Sequence, residues 1–245
     1  LFFCGLGAVP FWRQWRAPLV TWLVTITAFL GYHLLLFSAF RHAPVLEANL
    51  INYLWPLMII LFTPVLLRNH PLHRQHLLAG LFGLIGTLLV MVDGTLLPRW
   101  DYLPGYLLAL AAAVTWGFYS VLSRRLPSAP APVIGACCLF SGLLALVIAH
   151  LTEGPLPWAQ ISSSDWLLII GLAVGPMGTA FITWYLALRE GDPRRIGALA
   201  YLTPLLSTLF LVLINGESLS LRHVVAGVLI IGGALLGIRR SASTR

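Results

Sequence analysis

The sequence predicts an all-α polytopic membrane protein, and three observations carry that reading. Of 245 residues, 59% are apolar and 9% are charged, against roughly 45–50% and about 25% in soluble domains. The apolar residues gather in runs long enough to cross a bilayer. The charged residues sit between those runs, with the basic ones biased to alternate connections. A soluble core of this size has no use for so much apolar surface, so the excess faces lipid. Disorder is excluded, because disordered chains are poor in apolar residues and rich in charge.

The chain opens at Leu1 with an apolar stub, Leu1 to Val9, before Pro10 and a basic stretch holding Arg13 and Arg16. Nine residues cannot cross about 30 Å of hydrocarbon at 1.5 Å per residue. The stub reads as the tail of a helix whose beginning is absent, and the sequence as N-terminally incomplete. Eight full spans follow, at 19–40, 45–67, 76–93, 104–123, 131–151, 165–187, 196–214 and 222–238, each bounded by Pro, Gly or charge. The connections are short and leave no room for a soluble domain.

All fifteen basic residues are Arg, and the net charge is +7. In a soluble protein that sign would suggest nucleic acid; here the Arg residues lie in loops, and orientation is the better reading, with no nucleic-acid partner. One set of connections holds Arg13, Arg16, Arg68, Arg74, Arg124, Arg125, Arg189, Arg194, Arg195, Arg239, Arg240 and Arg245, twelve in all. The other set holds Arg41, Arg99 and Arg222 with most of the acids. The Arg-rich side is expected in the cytoplasm, the C-terminus with it. Cys4, Cys137 and Cys138 give no disulfide framework and read as small apolar side chains.

An internal repeat underlies the layout. An offset of 148 places Arg41 on Arg189 and aligns Tyr53 with Tyr201, Pro56 with Pro204 and Phe62 with Phe210 without a gap. After a one-residue slip, Ala79-Gly80 meets Ala226-Gly227 and Gly86 meets Gly233. Because the Arg41 loop reads as external and the Arg189 loop as cytoplasmic, the copies are inverted across the membrane, a transporter signature. The expected division is 1–94 for an N-terminally incomplete first repeat and 95–245 for the second. Equal units imply ten transmembrane helices in two inverted five-helix repeats, with the first and most of the second absent from this chain.

With that layout and the string Asn49-Leu-Ile-Asn52-Tyr53-Leu-Trp55-Pro56, the chain resembles the drug/metabolite transporter (DMT) superfamily, EamA type. The Asn-Tyr-Leu-Trp-Pro string is similar to that of the aromatic amino-acid exporters of the YddG kind. The resemblance implies cytoplasmic termini and a central cavity lined by the first, third, fourth, sixth, eighth and ninth helices.

On span 45–67, Asn49, Asn52, Tyr53 and Pro56 fall within about 100° of arc, with Trp55 about 60° beyond Asn52. Asn in hydrocarbon is costly unless it has a partner or lines a wet cavity. Pro56 cannot donate to the Asn52 carbonyl, and Pro204 likewise bares that of Ala200. Such carbonyls can accept an ammonium group or water, or the bends are satisfied by neighbouring helices. Tyr32 and His33 lie about 4 Å from mid-membrane. His33 reads as a packing residue, a donor to substrate or a proton carrier. Ala112, Trp116, Tyr119 and Ser123 form one helical stripe. Trp116 is too deep for the interfacial belt, which suits a cavity wall better than packing. Trp184 and Tyr185 read as belt residues. In span 165–187, Gly171, Gly175, Gly178, Thr179 and Thr183 permit close packing, and Pro176 offers a hinge. The Gly80/Gly83/Gly86 and Gly233/Gly237 patterns read as packing seams. Glu47, the one acid inside a span, reads as a rim partner of Arg41 or as a helix N-terminal acid, with proton coupling as the lesser reading.

The expected function is export of neutral amino acids, aromatic or bulky and apolar, across a bacterial inner membrane by alternating access. Tyr32, His33, Asn49, Asn52, Tyr53, Trp55, Trp116, Tyr119 and Tyr201 form the candidate substrate set, with kinks at Pro56, Pro176 and Pro204. The alternative is a broader metabolite or drug exporter of the same superfamily. A membrane-embedded enzyme is disfavoured: there is no G-x-S-x-G, no H-E-x-x-H and no pair of intramembrane acids. His70, His73 and His76 invite a metal reading, but Pro71 interrupts them and the neighbouring sequence offers no acid or Cys, so neither metal nor cofactor is expected. The partners expected are an amino acid and the bilayer, for a monomer.

Overall fold

The computed structural model describes residues 15–91, 99–155, 158, 161–215 and 221–238. The stub with Cys4, Arg13, Asp93, Glu217 and the tail with Arg239, Arg240 and Arg245 lie outside them. Among the described residues the regular structure is helical: α1 (Leu19–His42), α2 (Val45–Asn52), α3 (Trp55–Leu66), α4 (Arg74–Met91), α5 (Leu103–Leu122), α6 (Ala131–Glu153), α7 (Ser163–Val174), α8 (Ala180–Glu190), α9 (Pro193–Ala200), α10 (Leu202–Asn215) and α11 (Leu221–Ile238). Among the described residues, seven helical spans are long and apolar enough to cross a membrane: Leu19–His42, Val45–Leu66, Arg74–Met91, Trp100–Leu122, Ala131–Glu153, Ser163–Glu190 and Leu221–Ile238. The eighth expected span is the broken pair α9 and α10.

Burial is inverted relative to a soluble domain. Large apolar side chains face outward, with Leu168 66% and Leu213 71% exposed. Small and hydroxyl residues fill the interior, among them Thr63, Thr87, Ser120 and Ala112. A buried hydroxyl needs a partner, and the two threonines find one in their own helix. Thr63 Oγ1 donates to the Ile59 carbonyl at 2.6 Å and Thr87 Oγ1 to that of Gly83 at 2.9 Å.

Three spans are interrupted, each for a local chemical reason. Between α2 and α3 the Leu54 amide turns back to the Ile51 carbonyl at 3.0 Å, a tighter i−3 bond beside the Asn52 carbonyl that Pro56 cannot serve. The second break falls at Tyr201. The offset of 148 carries α2 onto α9 residue for residue. The third is a π-helical turn, Gly175–Thr179, just where Pro176 sits; Thr179 Oγ1 donates to the Val174 carbonyl at 2.7 Å.

The chain divides into two compact units, Leu1–Gly31 with Ser123–Glu190, and Tyr32–Leu122 with Gly191–Arg245. Each draws on both halves of the sequence. In the first unit, Phe29 meets Phe181 at 4.9 Å between ring centroids, and Ser141 Oγ donates to the Ile26 carbonyl at 3.1 Å. Tyr185 is no belt residue: it is 5% exposed, its hydroxyl accepts the Ala129 amide at 2.9 Å, and Arg189 donates to the Leu126 carbonyl at 3.0 Å. The connection before α6 offers an amide to the tyrosine hydroxyl and carbonyls to the guanidinium, and so captures both side chains. The packing expected at Gly171 and Gly175 is not seen among the described residues, where a Cβ at either would meet nothing within 4 Å. In the second unit, α4 and α11 pack along the glycine seam read from the sequence. A Cβ on Gly86 would lie 2.5 Å from Ile230, and one on Gly233 2.9 Å from the Ala79 carbonyl.

Candidate functional site

The second unit gathers most of the candidate residues. Asn52 ends α2, is 5% exposed, and donates from Nδ2 to the Tyr32 hydroxyl at 3.2 Å. Its Oδ1 is buried and has no hydrogen-bond partner among the described residues. The Tyr32 ring lies 5.2 Å from that of Trp116 at 40°, and Trp116 lies 5.8 Å from Tyr119, also at 40°. Trp116 is 6% exposed, far from the interfacial setting usual for Trp. Tyr53 stands at the break itself, half-buried. His33 stacks edge-on to Tyr32 at 5.0 Å and approaches Phe37 at 5.9 Å.

Close backbone approach holds this cluster together. A Cβ on Gly117 would lie 2.4 Å from Met58 Cβ and 3.2 Å from the Trp55 carbonyl. Only Gly lets α5 lie against the start of α3, and its neighbour Trp116 is thereby brought beside α1 and the break. Asn49 stands one turn before Asn52, half-buried, and Trp55 opens α3, half-buried. Tyr201 is not in the cluster. It is fully buried, and its ring occupies the space in front of Gly83, where a Cβ would fall 2.3 Å away.

Two polar arrangements complete the unit. Glu47 lies in the first turn of α2, and the Tyr106 hydroxyl donates to its Oε2. The N-terminal placement fits the sequence reading; the tyrosine partner was not visible there. The second arrangement is at α9. The helix starts at Pro193, three residues before the expected boundary, because Asp192 caps it by accepting the Arg194 amide at 3.0 Å and Pro193 suits the first turn. This draws Arg194 inward. Its guanidinium meets Asp192 at 2.6 Å and 3.0 Å and donates to the Pro71 carbonyl. Burial works to raise the Asp192 pKa, but the hydrogen bonds and charge of Arg194 outweigh it and hold the carboxylate below its usual range. Asp192 also interacts with His70, so an acid does approach the histidines that lacked one in sequence. No group of three His, Cys, Asp or Glu suited to a metal forms among the described residues. A groove of about 190 Å³ lies elsewhere, lined by Val90, Leu205, Thr208, His223 and Ile231.

The profile of the EamA-like transporter family matches residues 1–92 and 103–239. The chain belongs to the EamA-like transporter family. This EamA-like protein is therefore a multi-pass membrane protein of a transporter family. It is 39% identical over 221 residues to the aromatic amino acid exporter YddG of Ancylobacter novellus, covering 89% of this chain and 76% of that one. The aromatic amino acid exporter YddG of Escherichia coli is 24% identical, over 89% of this chain and 73% of its own. The riboflavin transporter ImpX of Fusobacterium nucleatum is 25% identical, over 78% and 65%. A solved crystal structure superposes with a TM-score of 0.83 at 38% identity, covering 92% of this chain and 78% of that one.

Proposed function

We propose that this protein exports neutral aromatic or bulky apolar amino acids across a bacterial inner membrane by alternating access between two inverted repeats, 1–94 and 95–245, with the C-terminus in the cytoplasm. The observation that carries the reading is the Asn52–Tyr32–Trp116–Tyr119 cluster. A buried amide oxygen left unpaired costs about 1–3 kcal/mol, and a substrate ammonium would satisfy it beside the Asn52 carbonyl that Pro56 cannot serve. The tilted rings beside it suit an aromatic side chain, where ring contacts add about 0.5–1.5 kcal/mol beyond area burial. Trp55, Tyr53, His33 and Asn49 border the same region of sequence and are assigned to its rim. Pro56, Pro176 and Pro204 are assigned as kinks that let helices bend during the cycle. The name of the Ancylobacter relative supports the substrate class, while that of the Fusobacterium relative keeps a larger aromatic metabolite as the second reading.

Flux of a labelled amino-acid panel from proteoliposomes tests this. Saturable tryptophan and phenylalanine flux above that of alanine and aspartate is expected. Flux of riboflavin with none of the amino acids would overturn the reading in favour of the second.

A further inference from the structure

Arg194 is one turn from Gly197 on α9, and its side chain is only 10% exposed. It is joined to Asp192 through both carboxylate oxygens and to the Pro71 carbonyl of the α3–α4 connection. Gly197 rests on the first helix break: a Cβ there would lie 2.9 Å from the Pro56 carbonyl and 3.5 Å from Ile59 Cβ. Pro56 is one turn from Asn52. The clasp, the glycine contact and the break form a continuous packed path inside one compact unit. A planar guanidinium can bridge a carboxylate and a carbonyl at once, which an ammonium point charge cannot do with the same geometry.

We propose that Arg194 is a positioning residue for transport: its clasp on Asp192 and Pro71 seats α9 against the Pro56 break and so fixes the backbone that presents Asn52. The inference rests on the substrate reading given above. Arg194 touches no substrate; it acts through Gly197 and Pro56. The effect of losing it is thus on substrate affinity and discrimination, beyond any effect on folding.

The test is tryptophan flux against concentration in proteoliposomes with the full chain, for the wild type, Arg194→Gln, Arg194→Lys and Gly197→Ala, with exposed Arg125→Gln as control. Gly197→Ala pushes α9 off the break without touching the ion pair, so it keeps the test decisive if Arg194→Gln fails to fold. The expected result is a KM raised fivefold or more in Arg194→Gln and Gly197→Ala, with maximal flux per folded protein within twofold. Arg194→Lys should be intermediate and Arg125→Gln unchanged. A KM equal to wild type in Gly197→Ala, or a loss of maximal flux alone, overturns the positioning role while leaving the substrate reading intact. Absence of saturable tryptophan flux in the wild type overturns the substrate reading, and this proposal with it.

Discussion

The two helix breaks at Tyr53 and Tyr201 are the same device put to different uses. Both follow an eight-residue helix, and both place a Tyr three residues before a Pro. At the first, the aligned positions are Asn49, Asn52 and Trp55; at the second they are Gly197, Ala200 and Thr203. The first break therefore holds a buried amide against Tyr32, with Trp116 beyond it. The second puts its Tyr ring into the Gly83 seam and rests its glycine on the first break. The repeated proline sets where the backbone opens. The residue one turn before it decides what that opening holds, an amide at the first and a small apolar side chain at the second.

This contrast can be broken in several places. The largest effect is expected at the packing break. Tyr201→Ala removes a fully buried ring and should cost about 3–5 kcal/mol, read as a large drop in the thermal midpoint of purified protein. Asp192→Asn comes next, because it leaves the Arg194 charge buried without its partner, a loss of about 3–5 kcal/mol in fully buried pairs and less in this partly exposed one. The Asp192 carboxylate is held below its usual range, so its contribution is fully present above the ordinary Asp value of about 3.9 and is lost as pH falls through the lower folded value. The midpoint gap between wild type and Asp192→Asn should stay constant from pH 8 to about pH 5 and close only under stronger acid. At the recognition break, Trp116→Ala should weaken tryptophan and phenylalanine flux by roughly three- to tenfold and threonine or alanine flux by less, with Trp116→Leu partly restoring aliphatic substrates. Unchanged flux and selectivity would make Trp116 packing. The smallest effect is expected at Glu47, whose carboxylate is satisfied by Tyr106 in the first turn of α2. Glu47→Gln should retain most of its flux under any pH gradient, and complete loss in a folded variant would revive proton coupling.

The helices were legible in the sequence because lipid demands long apolar runs, and the breaks because Pro cannot donate. The Gly80/Gly83/Gly86 seam was legible because small residues at helical spacing have few other uses in a membrane. The burial of the Tyr201 ring at Gly83 was not legible, because a sequence does not say which seam a ring enters. The burial of Tyr185 and the Tyr106–Glu47 bond depend on which helices meet, which no single span encodes. The Arg194 clasp was half-visible: Asp192-Pro193 is a helix start signal, and reading it would have moved Arg194 from the topology count into the protein interior.

The most direct measurement is the equilibrium affinity of purified protein for tryptophan in three forms: wild type, Asn52→Leu and Tyr201→Phe. A hydrogen bond to a charged group is worth about 1.5–3 kcal/mol, so Asn52→Leu should bind roughly ten- to a hundredfold more weakly. Tyr201→Phe keeps the ring and the packing and should bind within about twofold of wild type. Equal affinity in Asn52→Leu and wild type, or a larger loss in Tyr201→Phe, would contradict the assignment of recognition to the first break and packing to the second.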